Sequence, residues 1–444
     1  MPVPRKWIRR LSSGPKSRPL QPHMPASTQR TIRIILTLVV LAAAAYVACS
    51  RTVFVMCILF PMFTLTLASM IVILFSVRPR REDIIFVVSL TALHGVVAFM
   101  FMYLPYHSVL WLAYAGLSCF WVLCARAIWS DESDRKVLAF AAFSAILLLT
   151  VESGAASVLT WTERMHPRTL DLFLFSFDGS LGTQISFQMG MAFARWPVFR
   201  NVAVFFYQGL PIAIALICAQ QIAARSSKAF SAVSALVLTG PIGVLFYNLL
   251  PALGPRLIPQ LQFPFHAMSR SETMNLALVE VAAHGPRNAI PSLHMAWVLL
   301  IWWYSRGLSW WVRAIAMLFL IFTVAATIGT GEHYFVDLVV GIPFAVFVEG
   351  LCSFDRPWLD RRKIQTVAWG FGATIVWLAL LRFETPIFWI SPVIPWSLIV
   401  VTIILSWICE RQLRSADAYE RKTYLGFDGP LLETASSTPK SQTK

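Results

Sequence analysis

The sequence predicts an all-α polytopic membrane protein with about twelve transmembrane helices. Three observations carry that prediction. Of the 444 residues 57% are hydrophobic and only 13% charged, and the mean hydropathy is +0.66, outside the range of water-soluble domains. The apolar residues fall into runs of about twenty, the length a helix needs to cross a bilayer. The basic residues lie between those runs rather than in a patch, so the net charge of +15 reads as topology and not as a nucleic-acid surface. Short alternating segments of the kind a lipid-facing β-barrel requires are absent, and backbone in a bilayer is otherwise satisfied only within helices.

In chain order the predicted spans are residues 32–50, 53–77, 84–104, 108–129, 137–160, 201–223, 230–250, 290–305, 312–330, 333–352, 364–381 and 394–410. With the N-terminus inside, all but nine of the 37 Lys and Arg fall on the cytoplasmic side. The nine are all arginines: Arg51, Arg164, Arg168, Arg195, Arg200, Arg256, Arg270, Arg287 and Arg382. The partition follows the positive-inside rule, and part of the outside set reads as an anion site. The first apolar run lacks a convincing small-residue cleavage site after it and is read as a retained span. The seven cysteines lie within or at the ends of spans and suggest neither a disulfide framework nor a metal spacing.

These spans divide the chain into a basic tail over 1–31, a four-helix region over 32–130, a membrane core over 137–352, two further helices over 364–410 and a second tail over 415–444, both tails reading as disordered. Two outside segments are long. Residues 161–200 are too polar to cross and too apolar to float free, which predicts interfacial helices. Residues 251–289 open on Pro and Gly and include a short helix from Ser271 to Ala283.

Chemistry concentrates at two places. In "GTGEHYFVDLVVG" His333 and Asp337 stand four apart, the spacing of one helical face. A carboxylate there accepts the Nδ1 proton and leaves Nε2 as a basic, oriented nucleophile. In "GPRNAIPSLH" His294 lies about one turn into another span from the same outer side. Pro291 suits a first helical turn, the free amides there with Ser292 suit an oxyanion, and Arg287 and Arg256 are placed to fork onto phosphate oxygens. A lone histidine at a span end is more often a packing residue; the convergence of both histidines, the arginines and "PSLH" on one face at one depth is what argues for phosphate chemistry. His94, Glu152 and Glu349 read as polar groups facing the bundle interior, with Glu152 the strongest candidate for a role.

"PSLH" followed by "HYFVDLVVG" resembles the second and third signatures of the type 2 phosphatidic-acid phosphatase superfamily. Within it the chain most resembles the inositol phosphorylceramide synthase branch, where the second motif reads PSLH rather than PSGH. The resemblance covers about residues 240–345, and "TLDLFLFSFDGSLG" is similar to a segment of bacterial members. It implies a six-helix core in the C-terminal two-thirds and a metal-independent, cofactor-free, two-step phosphoryl transfer at the outer face. His333 would carry the phosphoryl group, Asp337 would orient it, and His294 would protonate the leaving oxygen and then deprotonate the acceptor. Arg287, Ser292 and Arg256 would hold the phosphate. The implied partners are a phospholipid or lipid phosphate, and water or an inositol-like polyol. Two departures separate the chain from the hydrolase branch: the outside loops contain no lysine, and Thr327 stands where that branch has an arginine six residues before the nucleophile.

Two other classes fit the sequence less well. A transporter would place polar groups at the midplane on broken helices, and a lipid-dependent glycosyltransferase would carry acidic residues in an early outside loop, where this chain has only "CSRT". The short chain and arginine-rich loops suggest a bacterial inner membrane with both termini cytoplasmic and the site periplasmic; in a eukaryote the site would face the Golgi lumen.

Overall fold

A computed structural model describes residues 26–49, 57, 61–102 and 108–415. The tails over 1–25 and 416–444, with most of residues 50–60, lie outside the described residues. The N-terminal helices are α1 (Ala26–Cys49), α2 (Pro61–Ser76), α3 (Arg81–Met102), α4 (Ser108–Trp129) and α5 (Glu132–Met165). Then come α6 (Asp171–Ser180), α7 (Ile185–Arg195), α8 (Pro197–Gln208), α9 (Leu210–Ala223) and α10 (Ala229–Tyr247). A long loop holding the short α11 (Arg270–Met274) leads to α12 (Leu293–Ser305), α13 (Trp310–Gly329), α14 (Phe335–Cys352), α15 (Arg361–Phe383) and α16 (Val393–Ser415). Among the described residues nine helices are long and apolar enough to cross a membrane, ten if the bent α8–α9 pair is one span. The two shorter apolar helices, α2 and α12, occupy the remaining predicted spans. The fold is therefore the all-helical bundle the hydropathy pattern predicts.

The helices form because each lets the backbone satisfy itself in lipid, and their arrangement follows from what each must bury. The most enclosed helix is α14, whose residues are buried along most of its length. It packs on α10, α12, α15 and α16, and its small residues allow this. A Cβ at Gly341 would fall 2.8 Å from the Ser292 carbonyl oxygen, so α14 and the start of α12 touch backbone to backbone. A second apolar cluster centres on α2, α4 and α5 and takes in Ala215 and Ile222 of α9. Six described cysteines are free.

Polar groups within the bundle are paired in most places. His94 meets the Ser118 hydroxyl at 3.2 Å. At the end of the bundle away from His333, Glu349 and Glu410 are enclosed with Arg306 and Arg414 in one network. Glu152 borders a cleft between α2 and α10 with Thr66, Ser69 and Trp297.

The outside segments differ from expectation in two places. Residues 161–200 form helices as expected, but not all of them lie open to the surface. The helix α6 is sunk among α14, α15 and α11, with Asp171 and Asp178 fully buried, because each carboxylate has backbone amides to bind. The helix foreseen over Ser271–Ala283 is only α11, closed at its start by a Ser269–Glu272 capping box. Val281–Ala282 instead forms a strand, β2, antiparallel to β1 (Arg168–Thr169). That pairing fastens the 251–289 loop to the junction between α5 and α6.

Candidate functional site

The site is built by four chain segments meeting at one end of the bundle. The first is the loop before α14. His333 sits in it rather than on the helix: Tyr334 is the N-cap and α14 starts at Phe335. The expectation of one helical face is thus corrected, although the pair still forms, with His333 Nδ1 at 3.4 Å from Asp337 Oδ2. The shorter partner of Nδ1 is the Ala289 carbonyl, at 2.7 Å. Two acceptors around one nitrogen fix the tautomer: Nδ1 carries the proton and Nε2 keeps its lone pair. Asp337 Oδ2 also accepts the Tyr334 amide at 2.8 Å, so the carboxylate that faces the histidine also begins the helix.

The second segment carries His294. Ser292, not Pro291, is at the start of α12: it is the N-cap and its side chain accepts from the Met295 amide, so Pro291 lies before the helix instead of in its first turn. The Ser292 amide donates to the Asp337 carbonyl at 3.1 Å, which locks α12 against α14. The first-turn amides of Leu293 and His294 have no acceptor within their helix, as at any helix start. The rings of His294 and His333 then stand 5.8 Å apart, edge to face.

The third segment is the turn at 253–256. Gly254 has φ +104°, and a Cβ there would collide with the Glu332 carbonyl; glycine is required where this turn crosses the histidine loop. The Arg256 amide donates to the Gly331 carbonyl at 3.0 Å, and its guanidinium pairs with Glu332. Arg256 therefore lies against the loop that carries His333, with its side chain 53% exposed.

The fourth segment is α6, whose part the sequence did not reveal. Asp178 accepts the amides of Phe335 at 2.8 Å and Val336 at 3.1 Å, the opening turn of α14. Asp171 accepts those of Leu253 at 3.1 Å and Gly254 at 2.8 Å. Two carboxylates on one short helix thus hold the two loops that carry His333 and Arg256. Burial pushes Asp178 up to about 8 and Asp171 up to about 6, while the amides pull each back down. Ser186 of α7 adds a bond to the His333 carbonyl at 3.2 Å.

Arg287 is the clearest correction. The expectation that it forks onto phosphate is not met, since its guanidinium donates to the carbonyls of His166 at 2.8 Å, Gly285 at 2.5 Å and Ala283 at 2.9 Å. It is 1% exposed, and burial lowers its pKa without discharging a guanidinium. Its work is to clamp the loop that ends in Ala289. Each charge-assisted bond contributes about 1.5–3 kcal/mol, whereas an exposed pair such as Arg256–Glu332 contributes about 0–1 kcal/mol. Arg287→Ala should therefore depress the melting temperature of the purified protein well below that of Arg256→Ala; equal thermal stability of the two variants would contradict the clamp.

Thr327, in place of the hydrolase branch's arginine, is buried and donates to its own helix at Thr323. Among the described residues no three His, Cys, Asp or Glu side chains gather as a metal-binding group.

In this helical membrane bundle two histidines from distant segments meet at one end. Residues 172–351 match the PAP2 superfamily, a stretch that takes in three of the four segments and all of α6 but Asp171. That match supports a phosphatase or phosphotransferase type of function acting on a lipid phosphate in a membrane. Comparison with curated proteins and with solved structures returned no match.

Proposed function

We propose that the chain is an integral-membrane phosphotransferase or phosphatase that passes a phosphoryl group from a lipid through His333, with an inositol phosphorylceramide synthase-like transfer as the finer reading. The observation that carries it is the 5.8 Å separation of the two imidazoles, with His333 Nδ1 occupied and Nε2 left basic. Rings this close can act on one phosphoryl group held at their edges.

In the first step Nε2 of His333 bonds to phosphorus while the bond from phosphorus to the lipid oxygen breaks. The leaving oxygen takes a proton from His294. The positive charge that develops on the His333 ring is met by Asp337 and the Ala289 carbonyl. In the second step the oxygen of water or a polyol bonds to phosphorus, its proton goes to His294, and the bond to Nε2 breaks. Both histidines end as they began. Ser292, the first-turn amides of α12 and Arg256 hold the phosphate oxygens, Arg256 exchanging Glu332 for the substrate. The arginine distribution favours an extracytoplasmic site, periplasmic in a bacterial inner membrane.

The test is to incubate purified protein with a panel of labelled phospholipids, with and without inositol, and to identify the products. The expected result is release or transfer of a phosphoryl-containing head group that persists in EDTA and is inhibited by vanadate, a mimic of pentacoordinate phosphorus. Turnover abolished by EDTA and restored by a divalent ion would contradict the metal-free route. Inositol-dependent product would favour transferase over hydrolase.

A further inference from the structure

A catalytic imidazole is usually aimed by a hydrogen bond to its second nitrogen, and His333 has one. His294 has none: no described residue hydrogen-bonds to its ring nitrogens. Its ring is instead held by aromatic neighbours. Tyr207 stacks on it with centroids 4.3 Å apart and planes 23° apart, and Trp297, one turn further along α12, meets it edge-on at 5.8 Å. Trp297 is itself fixed by its Nε1 donating to the Leu236 carbonyl at 2.9 Å.

We propose that Tyr207 is the positioning residue for His294, its ring face holding the imidazole in line with the leaving oxygen. This rests on the phosphoryl-transfer reading and adds a residue to it. A stacked ring face restricts how the imidazole can turn, which a flexible aliphatic side chain does not. The placement of Tyr207 is fixed from outside the motif segments. It occupies the last turn of α8, whose Val198 and Phe205 are exposed, and α8 packs on α13 and then bends by 48° into α9. The charged groups within electrostatic reach of the Tyr207 hydroxyl are Arg256 and Glu332; the remaining titratable neighbour of the His294 ring is His333.

A general acid matters in proportion to how poor the leaving group is, which separates a positioning role from a structural one. The experiment uses the full-length protein in detergent and two probes, phosphatidic acid, which releases an alkoxide, and p-nitrophenyl phosphate, which releases a stable phenolate. Tyr207→Met fills the space with no flat face. It is expected to slow the first step, read as the single-turnover rate of leaving-group release, about 10- to 100-fold on phosphatidic acid and less than about 3-fold on p-nitrophenyl phosphate, the same selective pattern as His294→Ala shows in that step. Tyr207→Phe keeps the face and is expected to match the wild type on both probes. Equal losses on both probes for Tyr207→Met, or a loss in Tyr207→Phe as deep as in Tyr207→Met, would overturn the proposal. Unimpaired turnover in His333→Ala on either probe would instead overturn the phosphoryl-transfer reading beneath it.

Discussion

His333→Ala is expected to abolish turnover, by about 10⁴-fold or more, with the protein still folded. The magnitude follows from removing the group that carries the intermediate, since losing a nucleophile returns the reaction to what binding and charge stabilisation alone supply. Folding should survive because the His333 side chain makes one bond to the Ala289 carbonyl and a longer contact to Asp337, while the loop itself is held through backbone atoms by Asp178, Ser186 and Arg256. The measurement is kcat on the best lipid of the panel, alongside the melting temperature. Retained activity in a purified His333→Ala sample would remove the nucleophile assignment. Asp337→Asn is the companion: it keeps an oxygen for the Tyr334 amide but loses the charge that offsets the developing imidazolium, so activity should fall with little change in stability.

His294→Ala is the second large effect, and its size should depend on the substrate. General acid–base catalysis contributes about 10²–10⁴-fold, and that whole factor should be lost with an alkoxide leaving group. With an aryl phosphate the first step no longer needs a donated proton, so the loss should shift to the second step, where His294 takes the proton of the acceptor. A burst of phenolate followed by slow turnover is the expected trace. Uniform slowing of both substrates without a burst would show that His294 handles no proton in either step.

The bundle was legible in the sequence because the bilayer imposes its length on every helix: apolar runs near twenty residues mark spans whatever packs beside them. Each predicted span has a helix among the described residues, though α2 and α12 are shorter than expected and the sixth is bent at Gly209. The two histidines were legible for a similar reason, since polar residues at span ends are few and these share one depth. The supports were not. Asp171 and Asp178 lie in a segment whose mixed composition reads as interfacial, and only folding reveals that each carboxylate finds two amides far along the chain. A signal was present: carboxylates two turns apart in the otherwise apolar "DLFLFSFDGS" cannot face lipid and demand partners.

Arg287 misled for the opposite reason. An arginine outside the positive-inside pattern and a few residues before "PSLH" looks like an anion ligand, yet a guanidinium's five donors serve backbone carbonyls equally well. Tyr207 carried no mark at all, because a tyrosine near a membrane surface is ordinary and its stacking partner belongs to a different helix.

The most direct measurement of the central claim is to trap the phosphoryl group. His294→Ala protein mixed with p-nitrophenyl phosphate should accumulate protein heavier by one phosphoryl group, acid-labile and base-stable as a phosphoramidate is, with the added mass mapping to the peptide containing His333 and absent when His333→Ala is added to the same chain. Turnover by the wild type with no such adduct under these conditions, or an adduct on any other residue, would contradict the account.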